Sequence, residues 1–246
     1  MRITSPLRSA GFLCLLLLIS ISSTTIGQNQ NVPWTEWSKK YAEKVLSDSP
    51  WAQTQVDTNL SEMFYTPTSP GGSAPNRSSR SVEGAVNQEM KITYHIRFFS
   101  ARPIRQALAR IYQIQQNPDA ERSERLRTFA ELESTDSIIL TVTFESPDGR
   151  FSGKVMQAFN SAVTAILKNK TYLERSDGQR LFLQQYVPPG RDGFGARFIF
   201  PRNADGHLFL DQKAHEVRFF CEYNPSLILN MRFKVSDMMY NGRLEY

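Results

Sequence analysis

From residue 90 to residue 99 the chain alternates. Ile92, Tyr94, Ile96 and Phe98 take every second place, with Lys91, Thr93, His95 and Arg97 between them. A period of two puts the apolar set on one face of a strand and the polar set on the other, so this stretch reads as a half-buried strand. Ile138, Leu140, Val142 and Phe144 repeat the pattern, closed by Pro147-Asp148-Gly149. Such strands must bury one sheet face, and the helical stretches between them are there to cover it.

The helices follow from a period near 3.6. Ser100-Ala101-Arg102-Pro103 turns the chain into a helix through about Gln116, with Ile104, Ala107, Leu108 and Ile111 on its buried face. Asn117-Pro118-Asp119 reads as the start of the next one, Asn117 as N-cap and Pro118 in the first turn, carrying Leu126, Phe129, Ala130 and Leu132. A third is expected over residues 153–169, striped by Val155, Met156, Phe159, Ala162, Val163, Ile166 and Leu167. Beyond Lys170 the chain is rich in strands, with hairpin signals at Ser176-Asp177-Gly178 and Asn241-Gly242. Short turns favour antiparallel pairing. The expected class is α+β: a Trp-rich N-terminal helix, a linker, then a meander-like antiparallel sheet with about three covering helices.

The N-terminus has a different purpose. Arg2 and Arg8 precede the apolar run of residues 12–19, and small or polar residues follow. That order is that of a secretory signal peptide, and the run is short of the roughly 20 residues that span a bilayer. Cleavage after Gly27, or a few residues earlier among the small residues 22–25, gives a mature chain from Gln28 or just before it, exported by a Sec-type route to the periplasm or the medium, with no membrane span left. Cys14 leaves with the signal, so Cys221 stands alone and no internal disulfide is expected. Of 29 Lys and Arg, two lie in the signal, leaving 27 against 24 acids. That balance is too small to call for nucleic acid.

All three tryptophans fall between residues 34 and 51. Trp34, Trp37, Tyr41 and Val45 recur at helical steps after Pro33, with Glu36, Lys39, Lys40, Glu43 and Lys44 on the other side. Residues 28–65 read as an N-terminal helical segment, and the Pro-, Gly- and Ser-rich residues 66–89 as a linker or surface loop. Residues 90–246 form the α+β domain. The face of Trp34, Trp37, Tyr41 and Trp51 is expected to dock, either onto this domain or onto a partner.

Chemistry is sparse. His95, His207 and His215 lack ligand spacing, and no Cys pair exists, so no metal or other cofactor is expected. Cys221 lies among aromatics in Arg218-Phe219-Phe220-Cys221-Glu222, as a small buried hydrophobe would. A Cys221 nucleophile served by His215 or His95 has no local support. The acids Asp205, Asp211 and Glu216, and Asp136, Glu145 and Asp148, show no pairing in sequence. The Gly-rich stretch at residues 190–195 lacks the Lys-Ser/Thr of a phosphate loop. The strongest surface signal is arginine: Arg97, Arg102, Arg105 and Arg110 gather at the first strand-to-helix junction, a candidate surface for an anion or a partner.

Three stretches carry a resemblance: WTEWSKKYAEKVLSDSPWAQT near the start, YHIRFFSARPIRQALAR in the middle and MRFKVSDMMYNGRLEY at the end. Together they cover about a quarter of the chain. They resemble a family of exported bacterial proteins of unknown function, with many members in acidobacteria. The resemblance implies a bacterial envelope or secreted location, and no activity, cofactor or site residue comes with it.

The expected function is that of an exported, non-enzymatic protein that binds or scaffolds, its partner another envelope protein or a small anionic ligand. An exported hydrolase of unfamiliar type, using carboxylates or Cys221, is the alternative.

Overall fold

A computed structural model describes residues 32–58, 91–133, 136–147, 149–211 and 213–246. The expected signal peptide, the expected linker at 66–89 and Asp148 lie outside them. The class is α+β, with antiparallel sheets and five α-helices among the described residues. None of these helices is long and apolar enough to cross a membrane.

Two main sheets replace the single meander that was expected, beside two short hairpins, β8 (Asn203–Ala204) with β9 (His207–Leu208) and β12 (Met239–Tyr240) with β13 (Arg243–Leu244). The first has five strands, β1 (Ala52–Asp57), β2 (Ile92–Phe98), β3 (Ser137–Glu145), β7 (Ala196–Pro201) and β6 (Gln185–Val187), in that spatial order. The second has four, β11 (Leu227–Lys234), β10 (Glu216–Asn224), β4 (Thr171–Arg175) and β5 (Arg180–Phe182). Their apolar faces meet. Phe98 packs edge-on to Phe233 at 4.9 Å, and Phe198 to Phe219 at 5.1 Å. The alternation read in β2 is the burial pattern found, with Ile92, Tyr94, Ile96 and Phe98 inside.

Both seams between the sheets are closed. On one side the chain itself crosses. After β5, the Leu183 N–H donates to Thr171 O in the second sheet and the next amide, Gln184, donates to Ile199 O in the first. On the other side Gln55 of β1 does the work of a peptide group. Its Nε2 donates to Ile228 O at 2.8 Å, and its Oε1 accepts from Asn230 N–H at 2.9 Å. Each seam is thereby bridged by hydrogen bonds that run from one sheet to the other.

The N-terminal stretch is part of this body. A 3-10 turn at Trp34–Glu36 precedes α1 (Lys39–Ser47), whose N-cap is Ser38: its hydroxyl accepts from Tyr41 N–H at 3.2 Å. The segment 28–65 is thus helical only in part, because β1 follows α1 directly. β1 escapes pattern reading because the residues on its inner face are Gln53, Gln55 and Asp57, polar groups at a seam.

Two further boundaries differ from expectation. Helix α2 (Arg102–Gln116) ends at Asn117, which adopts the left-handed conformation (φ 41°) as its C-cap. Asp119, not Asn117, caps α3 (Ala120–Glu131), accepting from Arg122 N–H at 2.8 Å. The third helix is broken into α4 (Gly149–Ser161) and α5 (Thr164–Leu167), which leaves Met156, Val163 and Ile166 exposed. Helix α2 packs between α1 and α3 at the end of the sandwich where β2 finishes. Helix α4 packs at the opposite end, its Phe159 against Phe144 and Tyr223.

Candidate functional site

The four arginines at the first strand-to-helix junction do not form an anion surface. Each is spent on the protein's own elements. Arg97 donates from Nε to Leu46 O, in the last turn of α1, at 2.6 Å and from a terminal nitrogen to Thr143 Oγ1 at 2.8 Å. Arg105 is 2% exposed. It donates to Ser100 O, to Leu132 O and, at 3.1 Å, to Phe129 O, so it joins the β2–α2 turn to the C-terminal carbonyls of α3. Arg110 donates to Trp37 O at 2.7 Å. Arg102 pairs with Glu245 at 3.2 Å. Burial pulls Arg97 and Arg105 down to about 10, still charged at neutral pH. The polar face seen in the sequence is real, but other elements, not solvent, stand opposite it. A helix wheel carries no information on that distinction.

The docking face behaves in the same way. Trp34, Trp37 and Trp51 are buried and Tyr41 is half-buried, all in the common core. Trp37 meets Tyr41 edge-on at 5.0 Å, and its indole N–H donates to Val32 O. Trp51 packs edge-on to Tyr240 and donates its indole N–H to Glu245 O at 2.8 Å. Tyr240 in turn donates to Gln106 Oε1 at 2.7 Å. The early, middle and final stretches that carry the resemblance therefore meet at one place. There the Glu245 carboxylate accepts from Arg102 N–H at 3.4 Å, supplying from 143 residues away the cap that Ala101 lacks. This junction is nearly closed to solvent: Glu245 is 8% and Gln106 6% exposed.

Solvent meets side chains instead on the outer face of the four-stranded sheet. The inner residues of β10 are Val217, Phe219 and Cys221; the outer ones are Glu216, Arg218, Phe220 and Glu222. The pairing registers build two rows across the strands. Phe182, Tyr172, Phe220 and Asn230 make one; Arg180, Glu174, Arg218 and Arg232 make the next. Tyr172 and Phe220 stack at 5.1 Å, and Phe182 stands edge-on to Tyr172 at 5.9 Å. The Arg180 guanidinium lies 4.4 Å above the Tyr172 ring, and the Arg218 guanidinium is within reach of both the Tyr172 and Phe220 rings, at 5.8 and 5.7 Å. Glu174 bridges Arg180 and Arg218, and these hydrogen bonds hold its carboxyl below the usual range. Arg232 pairs with Glu216 and stays 64% exposed. No helix described here covers this face: Arg180, Phe182, Ile228, Asn230, Arg232 and Lys234 are all exposed.

No family model, curated protein or solved structure matches the chain.

Its chemistry is therefore read from placement alone. Cys221 lies inside the sandwich, its sulfur accepting from the Thr171 hydroxyl at 3.2 Å, and burial pushes the thiol up to about 12. His95 is on the outer face of the other sheet, and His215 lies six residues from Cys221 along one chain, roughly 20 Å in extended backbone. The thiol–imidazole pairs that the nucleophile alternative needs are not brought together. His95 Nδ1 is 3.3 Å from Thr54 Oγ1 and its Nε2 is 3.6 Å from Glu145. Of the acids, Asp211 accepts from the Lys213 and Ala214 amides, Glu216 holds Arg232 and Asp205 turns a hairpin with φ 51°. Among the described residues no three or more His, Cys, Asp or Glu side chains gather as metal ligands would.

Sequence reading missed the open face. The available signal was a phenylalanine, Phe220, on the polar alternate of β10 between Arg218 and Glu222, together with Tyr172 on the adjacent strand and Phe182 on the one beyond. Without the registers those rings have no reason to be placed in one row.

Proposed function

We propose that this chain is an exported bacterial binding protein without catalytic activity, and that it holds an acidic glycan against the outer face of its four-stranded sheet. One observation carries the reading: a solvent-facing sheet surface that sets a row of three aromatic rings beside a row of three guanidiniums. An ordinary solvated sheet face has charged and small polar side chains; rings left at such a surface cost hydration unless something covers them.

The charge pattern chooses the partner class. Arg180, Arg218, Arg232, Lys170 and Lys234 outnumber Glu174, Glu216 and Glu222 on this face. Exposed guanidinium edges suit the bidentate hold of carboxylates, while the ring edges meet the C–H faces of sugars. The N-terminal order of basic, apolar and small residues supports export, and a chain with Cys221 as its sole mature cysteine needs no oxidising help to fold.

The test is affinity electrophoresis or pull-down on polygalacturonate, with dextran as the neutral control. Retention on the acidic polymer should weaken with salt and fall at least about tenfold in Arg232→Ala and Phe182→Ala, in keeping with the loss of one anchoring side chain. Equal retention on dextran, or variants that bind as the parent does, would overturn the reading.

A further inference from the structure

The row of guanidiniums on the open sheet face is interrupted. Across β5, β4, β10 and β11 it runs Arg180, Glu174, Arg218, Arg232, which is cation, anion, cation, cation. Neighbouring strands are about 4.8 Å apart, so Arg180 and Arg218 stand about 10 Å apart with a carboxylate midway. One strand step is close to the advance of one sugar along an extended glycan. A glycan laid over the neighbouring ring row, across the strands, therefore brings successive sugars to these side chains in turn.

What each position can take follows from its hydrogen-bonding atoms. A guanidinium has five N–H donors. Arg180 donates its Nε–H to Glu174 Oε1 at 2.7 Å, and its side chain is 46% exposed. Arg218 pairs through Nη2 with Glu174 Oε2, and the same nitrogen donates to Tyr172 Oη at 3.2 Å. Arg232 donates from Nη1 to Glu216 Oε1. Each guanidinium thus has terminal donors beyond those its protein partners take. The other side of the ring row supplies no substitute cation over β4, because the Lys170 ammonium there is held by Glu222 at 2.8 Å.

Glu174 is the reverse case. Its carboxylate is ionised and can only accept, and each oxygen has a lone pair left after its bond to arginine. A sugar carboxylate above it would set acceptor against acceptor and charge against like charge. A hydroxyl or an amide N–H there would donate to it instead. We propose, on the reading that this face holds an acidic glycan, that it selects alternating ones, with a uronate on every second sugar and a neutral sugar between. The neutral sugar lies above Glu174 and donates to it. The flanking carboxylates lie by Arg180 on one side and by Arg218 and Arg232 on the other. A glycan with an acid on every sugar meets the same face with one carboxylate opposed.

Isothermal titration of the purified protein with two hexasaccharides tests this. One is a hyaluronan fragment, in which glucuronate alternates with N-acetylglucosamine; the other is hexagalacturonate, with a carboxylate on every sugar. The hyaluronan fragment should bind about threefold more tightly although it carries half the charge, an effect of the size that one exposed charge contact produces. Glu174→Gln keeps the side chain's size and removes its charge. In that variant hexagalacturonate should gain affinity and the gap should close, and an unchanged near-ultraviolet circular dichroism spectrum will show that the fold is intact. Equal or tighter binding of hexagalacturonate by the parent would overturn the alternation and leave the glycan-binding face standing. So would a gap that persists in a folded Glu174→Gln protein. Binding of neither hexasaccharide would overturn both.

Discussion

Replacing Arg105 by methionine removes every donor from the most completely buried guanidinium among the described residues while keeping the length of its stem. Three carbonyls lose their partner: Ser100, Phe129 and Leu132. A buried acceptor left dry costs about 1–3 kcal/mol. Ser100 is 2% exposed and bears this in full, whereas Leu132 is 48% exposed, so its carbonyl regains water. Removing the guanidinium also removes the cost of keeping a charge from water, which offsets part of the loss. The balance is a destabilisation of about 2–4 kcal/mol. Arg105→Lys should recover only part of it, because one ammonium cannot span three acceptors set around a planar fork. Urea denaturation gives the magnitude, and amide exchange gives the place. Protection should fall first in the last turn of α3, whose carbonyls Arg105 caps. A loss under about 1 kcal/mol, or α3 exchange unchanged against a uniform drop elsewhere, would refute this account of the arginine.

Other consequences can be tested on the same protein. Gly195 has φ +80°, and a Cβ there would lie 2.2 Å from Val142 O and 2.8 Å from Thr143 Cγ2; Gly195→Ala should cost about 3–5 kcal/mol in denaturant, from left-handed strain plus a backbone clash, and a soluble variant of parental stability would contradict it. Burial, with Arg97 alongside and against the pull of Glu145, holds the His95 imidazole below its usual value. Thr54, Thr143, Arg97 and Glu145 face or adjoin it across the neighbouring strands. Its stabilising contribution is therefore complete above the unfolded value of about 6.5 and is lost as pH falls through the lower folded value. Stability should drop more steeply as pH falls below about 6.5 in the parent than in His95→Gln, and parallel slopes would exclude His95 as the cause. The Cys221 thiol, buried and raised to about 12, should not react with a disulfide reagent at pH 8 until the protein unfolds; fast native labelling would place it at the surface.

How much of this was legible in sequence depends on which physical rule each residue obeys. β2 was legible because Ile92, Tyr94, Ile96 and Phe98 alternate and their inner face is the core. The Asn241-Gly242 turn was legible because both residues take positive φ, 49° and 75°, as a tight hairpin demands. β1 was not, because Gln53 and Gln55 point inwards at a seam where Gln55 replaces a backbone group. The arginines were seen as a group, but their partners are main-chain oxygens, which are present at every residue and leave no mark on composition. Glu245 could not be assigned as the cap of α2, since only the fold brings it to Arg102. The open sheet face was hidden for a related reason: its rings lie on three strands whose order is β10, β4, β5.

The binding role of that face is the central claim, and side-chain NMR during titration with an oligogalacturonate tests it most directly. Ring signals of Tyr172, Phe182 and Phe220 and the guanidinium signals of Arg180, Arg218 and Arg232 should move together and saturate at one ligand concentration. Perturbation confined to α2, α3 or α4, or no perturbation at all, would contradict it.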